Sequence, residues 1–286
     1  MTHVIVVGTD GSAAGTAAVE WAADDAARAD RPLRIVYAVD RWPYQISRFP
    51  NPAMGDVLER GARRVLAEAE EVARKRQPDI EVTTESIEGT AVSVLRAQAE
   101  HADELVVGAR GLGGFAGAVM GSVSAHVAGH AHGAVVVVRP GWQSDHGQIV
   151  VGIDDSPACE PALAYAFAQA ALRGATLRAI HAWQAPVHVY APEITYDLDE
   201  VGQAHQQAAT DRLRGRQERH PQVKVVQETV CAHPVDALTR ASAEADLVVV
   251  GSHGRGAVSS AILGSVSRAV LLHAGSAVAV VRSAAD

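Results

Sequence analysis

Lysine is nearly missing from this sequence: Lys75 and Lys224 are the only two in 286 residues. Neither lies in a glycine-rich stretch and no G-x-x-x-x-G-K-[ST] segment occurs, which excludes the lysine-dependent phosphate loop. Cysteine is equally scarce. Cys159 and Cys231 have no metal-site or redox-pair spacing, so a disulfide framework is excluded and a reducing compartment fits. Clustered basic charge is also lacking. The formal net charge of −8 argues against a phosphate-backbone surface, and hence against a nucleic-acid partner. No apolar run approaches the roughly 18 residues of a spanning helix. Residues 1–7 lack the basic and apolar regions of a secretory signal. The expected location is therefore the cytoplasm, with no membrane partner.

What is present is apolar and repetitive. Hydrophobic residues make up 48% of the chain, and at roughly 100 to 200 residues per domain its length predicts two domains. The segment Val6-Val7-Gly8-Thr9-Asp10-Gly11-Ser12 returns as Val150-Val151-Gly152-Ile153-Asp154-Asp155-Ser156, an offset of 144 (154 − 10). Gly121-Ser122-Val123-Ser124 returns as Gly264-Ser265-Val266-Ser267, an offset of 143 (264 − 121). This period is far beyond that of solenoid repeats and marks a duplicated domain. The expected domains are residues 1–140 and 148–286, joined by a Pro- and Gly-containing linker.

Within the first copy, apolar runs near residues 3–8, 33–39, 104–108 and 134–139 predict parallel strands covered on both faces. A more polar run at 80–86 suits a sheet edge. Helical periodicity predicts helices near 13–29, 53–77, 89–101 and 121–131. The implied architecture is α/β, two tandem doubly wound five-stranded parallel-sheet domains. Ligands of such sheets bind beyond the C-terminal strand ends.

There the chemistry is found. After the fourth strand comes Gly108-Ala109-Arg110-Gly111, nine residues, then Gly121-Ser122; the second copy reads Gly251-Ser252-His253-Gly254, nine residues, then Gly264-Ser265. Glycines permit positive φ and close backbone approach, and the N–H groups of the next helix face an anion over its N-terminus. Ser122 and Ser124, with Ser265 and Ser267, are expected to add hydroxyl donors. One such turn is a common structural device. Two copies at identical spacing, with unlike residues between, point to a constraint beyond chain reversal. Arg110 and His253 occupy equivalent positions, either as phosphate partners or as solvated side chains, so the two sites are expected to be unequal in affinity or pH response. Asp10 and Asp154 suit a ribose hydroxyl or an adenine amino group, or equally an Asx turn or helix cap, which Ser12 and Ser156 can also supply.

These residues, from the strand-one aspartates through both glycine motifs to the final strands ending at Arg139 and Arg282, resemble the universal stress protein family in its tandem-domain, ATP-binding branch. The resemblance covers essentially the whole chain and implies a Rossmann-like fold of the adenine nucleotide alpha hydrolase kind. It implies that Asp10 and Asp154 contact the nucleoside and that the backbone at Ala38 and Ala182 meets the adenine. It further implies that Gly108, Gly111, Gly121 and Ser122 hold ribose and phosphates, as do Gly251, Gly254, Gly264 and Ser265. Arg110, Val123 and Ser124, with His253, Val266 and Ser267, are further binding candidates by their place in the same loops and helix starts. The implied ligand is ATP with Mg²⁺, one per domain. The implied role is a nucleotide-dependent regulator, with dimerisation of tandem chains and an unidentified regulatory partner.

Two other functions compete. A slow ATPase or phosphotransferase would use the same sites, its remaining groups supplied by residues 40–55 or 184–200. A phosphorelay receiver needs an Asp after strand three and a Lys after strand five, and Ile87-Glu88 and Arg139-Pro140 offer neither. No metal site is expected from His126 and His130, which stand four apart on a helix without a third ligand.

Overall fold

The computed structural model describes residues 3–41, 54–113, 120–142, 145–185, 197–254 and 263–282. The chain divides into two compact units, the first running to Trp142 and including Arg282, the second spanning Gln143–Val281. The division falls inside the segment read as a linker.

In the first unit the strands are β1 (Ile5–Gly8), β2 (Leu33–Val39), β3 (Val82–Glu88), β4 (Glu104–Gly108) and β5 (Gly133–Val138). They lie in the order β3-β2-β1-β4-β5, and every pairing between neighbours is parallel. The central strands are the apolar runs: Val6, Val7, Leu105 and Val106 are buried, as a sheet covered on both faces requires. The third strand lies at 82–88 rather than 80–86 and ends at Gly89, whose φ of +144° stops the extended run. Its pattern is mostly exposed, as expected of an edge.

Four described helices cover this sheet: α1 (Ala13–Ala29), α2 (Met54–Arg76), α3 (Ala91–Ala99) and α4 (Ser122–His130). Ser12 caps α1 by accepting a hydrogen bond from the Gly15 N–H at 3.1 Å, and Thr90 caps α3 in the same way. Helix α3 starts after residue 89 because its cap fixes the boundary there. Trp21, fully buried on α1, meets Trp142 edge to face at 5.0 Å between ring centroids.

The second unit repeats the arrangement. Strands β6 (Gln148–Ile153), β7 (Thr176–Trp183), β8 (Val225–Cys231), β9 (Leu247–Gly251) and β10 (Ala277–Arg282) lie in the order β8-β7-β6-β9-β10. Helices α5 (Glu160–Arg173), α6 (Leu198–Arg219), α7 (Pro234–Ser242) and α8 (Ser265–His273) alternate with them. The entry to α5 differs from that to α1. A short 3₁₀ turn at Pro157–Cys159 intervenes, and Ser156 makes no side-chain cap. Cys159 is buried and Cys231 exposed, both free thiols. No described helix is long and apolar enough to cross a membrane.

One buried ion pair ties α1 to the end of α2. Asp24, 4% exposed, accepts from Arg76 Nε and Nη2 at 3.0 and 2.8 Å and from Gln77 Nε2 at 2.8 Å. Burial alone raises its pKa, but these hydrogen bonds and the Arg76 charge outweigh it and the net direction is downward. A depressed carboxylate contributes stability above its unfolded pKa and loses it as pH falls. Asp24→Ala is expected to cost roughly 2 kcal/mol near neutral pH, below the usual figure for a broken buried pair because the Arg76 side chain is 44% exposed. In chemical denaturation series the gap between wild type and Asp24→Ala should narrow as pH drops below about 4.

Candidate functional site

The strand order makes the site. β1 connects outward to β2 on one side while β4 lies on its other side, so the loops leaving β1 and β4 diverge and open a crevice at the switch point. Asp10 leaves the first and Gly108 to Gly111 leave the second. A cavity of about 490 Å³ fills this crevice, within the usual range for small-molecule sites. Its floor is Gly8 and Thr9; Val36, Tyr37 and Ala38 from the end of β2 form one wall, and Gly121 to Ser124 at the start of α4 form the other. Asp10, Ala38, Gly108, Arg110, Gly111, Gly121, Ser122, Val123 and Ser124 are thus brought to one cavity. Tyr37, Leu95 and Met120 line it as well and carried no motif signal, because their placement depends on how β2, α3 and the segment entering α4 pack.

The Asp10 carboxylate is partly committed to the protein. Oδ1 accepts the Ser12 N–H at 3.0 Å, an Asx turn, and Oδ2 accepts the Leu112 N–H at 2.8 Å across the crevice. The aspartate therefore clamps the β4 loop to the β1 loop, and its remaining lone pairs are free to accept from a ligand. In the second unit Asp154 Oδ1 takes both the N–H and the hydroxyl of Ser156, at 3.0 and 2.7 Å. Ser12 is a helix cap, whereas Ser156 serves its aspartate.

The glycines act differently from expectation. None of Gly108, Gly111, Gly121, Gly251, Gly254 or Gly264 has a positive φ; what they contribute is the missing Cβ. A Cβ on Gly108 would lie 2.6 Å from the Ala14 carbonyl, so the end of β4 meets the backbone of α1 only as glycine. A Cβ on Gly111 would lie 2.4 Å from Asp10 Oδ2, and one on Gly254 2.8 Å from Asp154 Oδ2. Gly121 and Gly264 are N-caps without side-chain hydrogen bonds and have room, with nothing nearer than 3.5 and 3.4 Å. Their N–H groups are held by Ala109 and Ser252 carbonyls at 2.8 and 2.9 Å, which fixes the start of each helix against the loop leaving β4 or β9. Residues 114–119 and 255–262 of the nine-residue spans, and most of 40–55 and 184–200, lie outside the described residues.

The serines divide in two. Ser122 and Ser265 are exposed at the helix starts, available as donors. Ser124 and Ser267 are buried and donate instead to the Gly108 and Gly251 carbonyls, at 2.6 and 2.5 Å. The expectation that their hydroxyls donate to a ligand is corrected: they fasten the helix start to the strand end. The N–H groups of Ser122, Val123 and Ser124, and of Ser265, Val266 and Ser267, have no partner within the helix because they form its first turn.

The residues at the two equivalent loop positions differ. Arg110 is exposed at the cavity mouth, close enough to Arg139 that its charge adds to burial in lowering the Arg139 pKa. His253 is half-buried, with Nδ1 3.0 Å from the Ser252 hydroxyl. Its Nε2 is buried without a hydrogen-bond partner among the described residues.

Two tandem doubly wound α/β domains, each with a glycine-framed helix start beside a strand-one aspartate, define the class. The family model for the universal stress protein family matches residues 1–139 and 146–282, and the chain belongs to that family in tandem-domain form. It is 36% identical to one universal stress protein of Mycobacterium tuberculosis, covering 93% of this chain and 91% of that protein. It is 37% identical to another from the same organism, covering 94% and 93%. A universal stress protein structure from Archaeoglobus fulgidus superimposes with a TM-score of 0.71 at 20% identity, covering 99% of both chains.

The two kinds of glycine separate by experiment. Gly108→Ala is expected to destabilise by about 1–3 kcal/mol in denaturant titration, since backbone must move. Gly121→Ala should cost less, about 0.5 to 1 kcal/mol, since an alanine here meets only ordinary contacts and gives up only the N-cap preference for glycine.

Proposed function

We propose that the protein binds an adenine nucleotide in each domain and acts as a nucleotide-dependent regulator, ATP with Mg²⁺ being the ligand. The observation that carries this is the cavity of about 490 Å³ over the start of α4, with an aspartate at its head and a run of free helix N–H groups at its foot. A nucleoside fits between Asp10 and the backbone at Ala38. The polyphosphate then runs past Gly111 to Gly121 and Ser122, where amides and the helix dipole favour negative charge. The second domain carries the same parts in Asp154, Ala182, Gly254, Gly264 and Ser265.

Regulation is favoured over turnover by the groups the cavity brings together. Lining it are one carboxylate, one guanidinium and hydroxyls, with no lysine to bridge transferred phosphates. The sites are unequal. Arg110 presents a permanent cation to the first, while the second has the imidazole of His253, one nitrogen of which awaits a partner.

Freshly purified protein, denatured and filtered, should release adenine nucleotide, and calorimetric titration of stripped protein should find two sites of different affinity. Gly121→Ala should weaken the first at least tenfold by placing a methyl group in the phosphate path, and Gly264→Ala the second. No released nucleotide together with no ATP binding would remove the proposal. Fast ATP consumption abolished by Gly121→Ala would replace it with an enzymatic one.

A further inference from the structure

Asp155, His181 and His205 converge in the second domain with their ligand atoms all within 4.8 Å of one another. They come from three elements: the turn after β6, the body of β7 and the middle of α6. No motif spacing joins them. At equivalent positions the first copy has Gly11 and Tyr37, so the first domain lacks the set.

The details suit a metal ion better than a chance meeting of polar groups. His181 is 2% exposed, and Nε2 stands 3.0 Å from His205 Nδ1. That is hydrogen-bond distance, and an opening of a few tenths of an ångström gives the roughly 3.3 Å between two nitrogens each roughly 2.0–2.1 Å from one tetrahedral cation. The other ring nitrogen of His181 is directed to the Ile153 backbone, the support that orients a ligating imidazole and leaves the facing nitrogen with its lone pair. Trp183 stacks on His205 at 5.1 Å between centroids and 19° between planes, which fixes the second ring. Asp155 is exposed and opens the set to solvent. Arg212 Nη2 donates to the Asp155 backbone carbonyl at 2.7 Å.

We propose that His181, His205 and Asp155 bind one divalent transition-metal cation of the zinc or cobalt(II) class. Two imidazoles and one carboxylate leave coordination positions open to water or a ligand, and the nitrogen donors select against hard Mg²⁺. On binding, the proton that His205 shares with His181 moves to the other nitrogen of the His205 ring, and both facing lone pairs go to the metal. The site does not depend on the nucleotide proposal, although Asp154 and Ala182 adjoin it in sequence.

The test is titration of the metal-stripped full chain with Co²⁺, followed by visible absorption and tryptophan fluorescence, with Zn²⁺ calorimetry alongside. One equivalent per chain is expected, with quenching contributed by Trp183. His205→Ala and Asp155→Asn should each weaken binding at least about tenfold, whereas a His126→Ala, His130→Ala double variant should bind as wild type. His181 is left intact because its removal would alter the packing of β7. Undiminished binding in both single variants, loss of binding in the double variant, or binding only at millimolar metal would overturn the proposal. Asp155→Asn at an exposed position keeps the test decisive if His205→Ala fails to fold.

Discussion

The parallel pairing of β1 with β4, repeated as β6 with β9, is the constraint on which the rest of each domain depends. Strands distant in sequence are made neighbours, and the loops that follow them leave in opposite directions. The crevice between those loops exists for that reason alone. Close contact then follows. The end of β4 presses on the backbone of α1, the Asp10 carboxylate bridges to the Leu112 N–H, and the Ser124 hydroxyl returns to the Gly108 carbonyl. Each contact draws the helix start toward the strand end, so the first-turn N–H groups of α4 are held beside the loop that leaves β4.

The glycine motif therefore carries two demands in one string of residues. Gly108 answers to packing, Gly111 and Gly254 to the volume of an aspartate, and Gly121 and Gly264 to open space over a helix start. The first demand is strict only in the first copy, since a Cβ on Gly251 would come no nearer than 3.2 Å, to the His253 carbonyl. Recurrence at fixed spacing reflects the other two, which both copies share.

Duplication also frees the copies to diverge around a shared frame. Asp154 takes both the N–H and the hydroxyl of Ser156, whereas the Ser12 hydroxyl caps α1 and Asp10 takes only the Ser12 N–H. Where the first domain has Tyr37 in its cavity wall, the second has His181 meeting His205 and Asp155. Arg110 at the mouth of the first domain's cavity answers to His253, half-buried beside Ser252, in the second domain. The domains share a scaffold and differ in the side chains their strand ends present.

The sequence by itself determined the duplication, the α/β alternation, the parallel character of the central strands and the residues that gather at each strand end. Those properties are local or periodic: continuous apolar runs, helical spacing, caps such as Thr90 and the glycine-serine pairs. Only the tertiary structure decided what the gathered residues do. The burial of Ser124 and Ser267, the double use of Asp10, the negative φ of the motif glycines and the meeting of His181 with His205 all depend on how separate elements pack. Periodicity records which face of an element is buried but not what lies against it, so contacts across 16, 24 or 102 residues left no trace in the spacing.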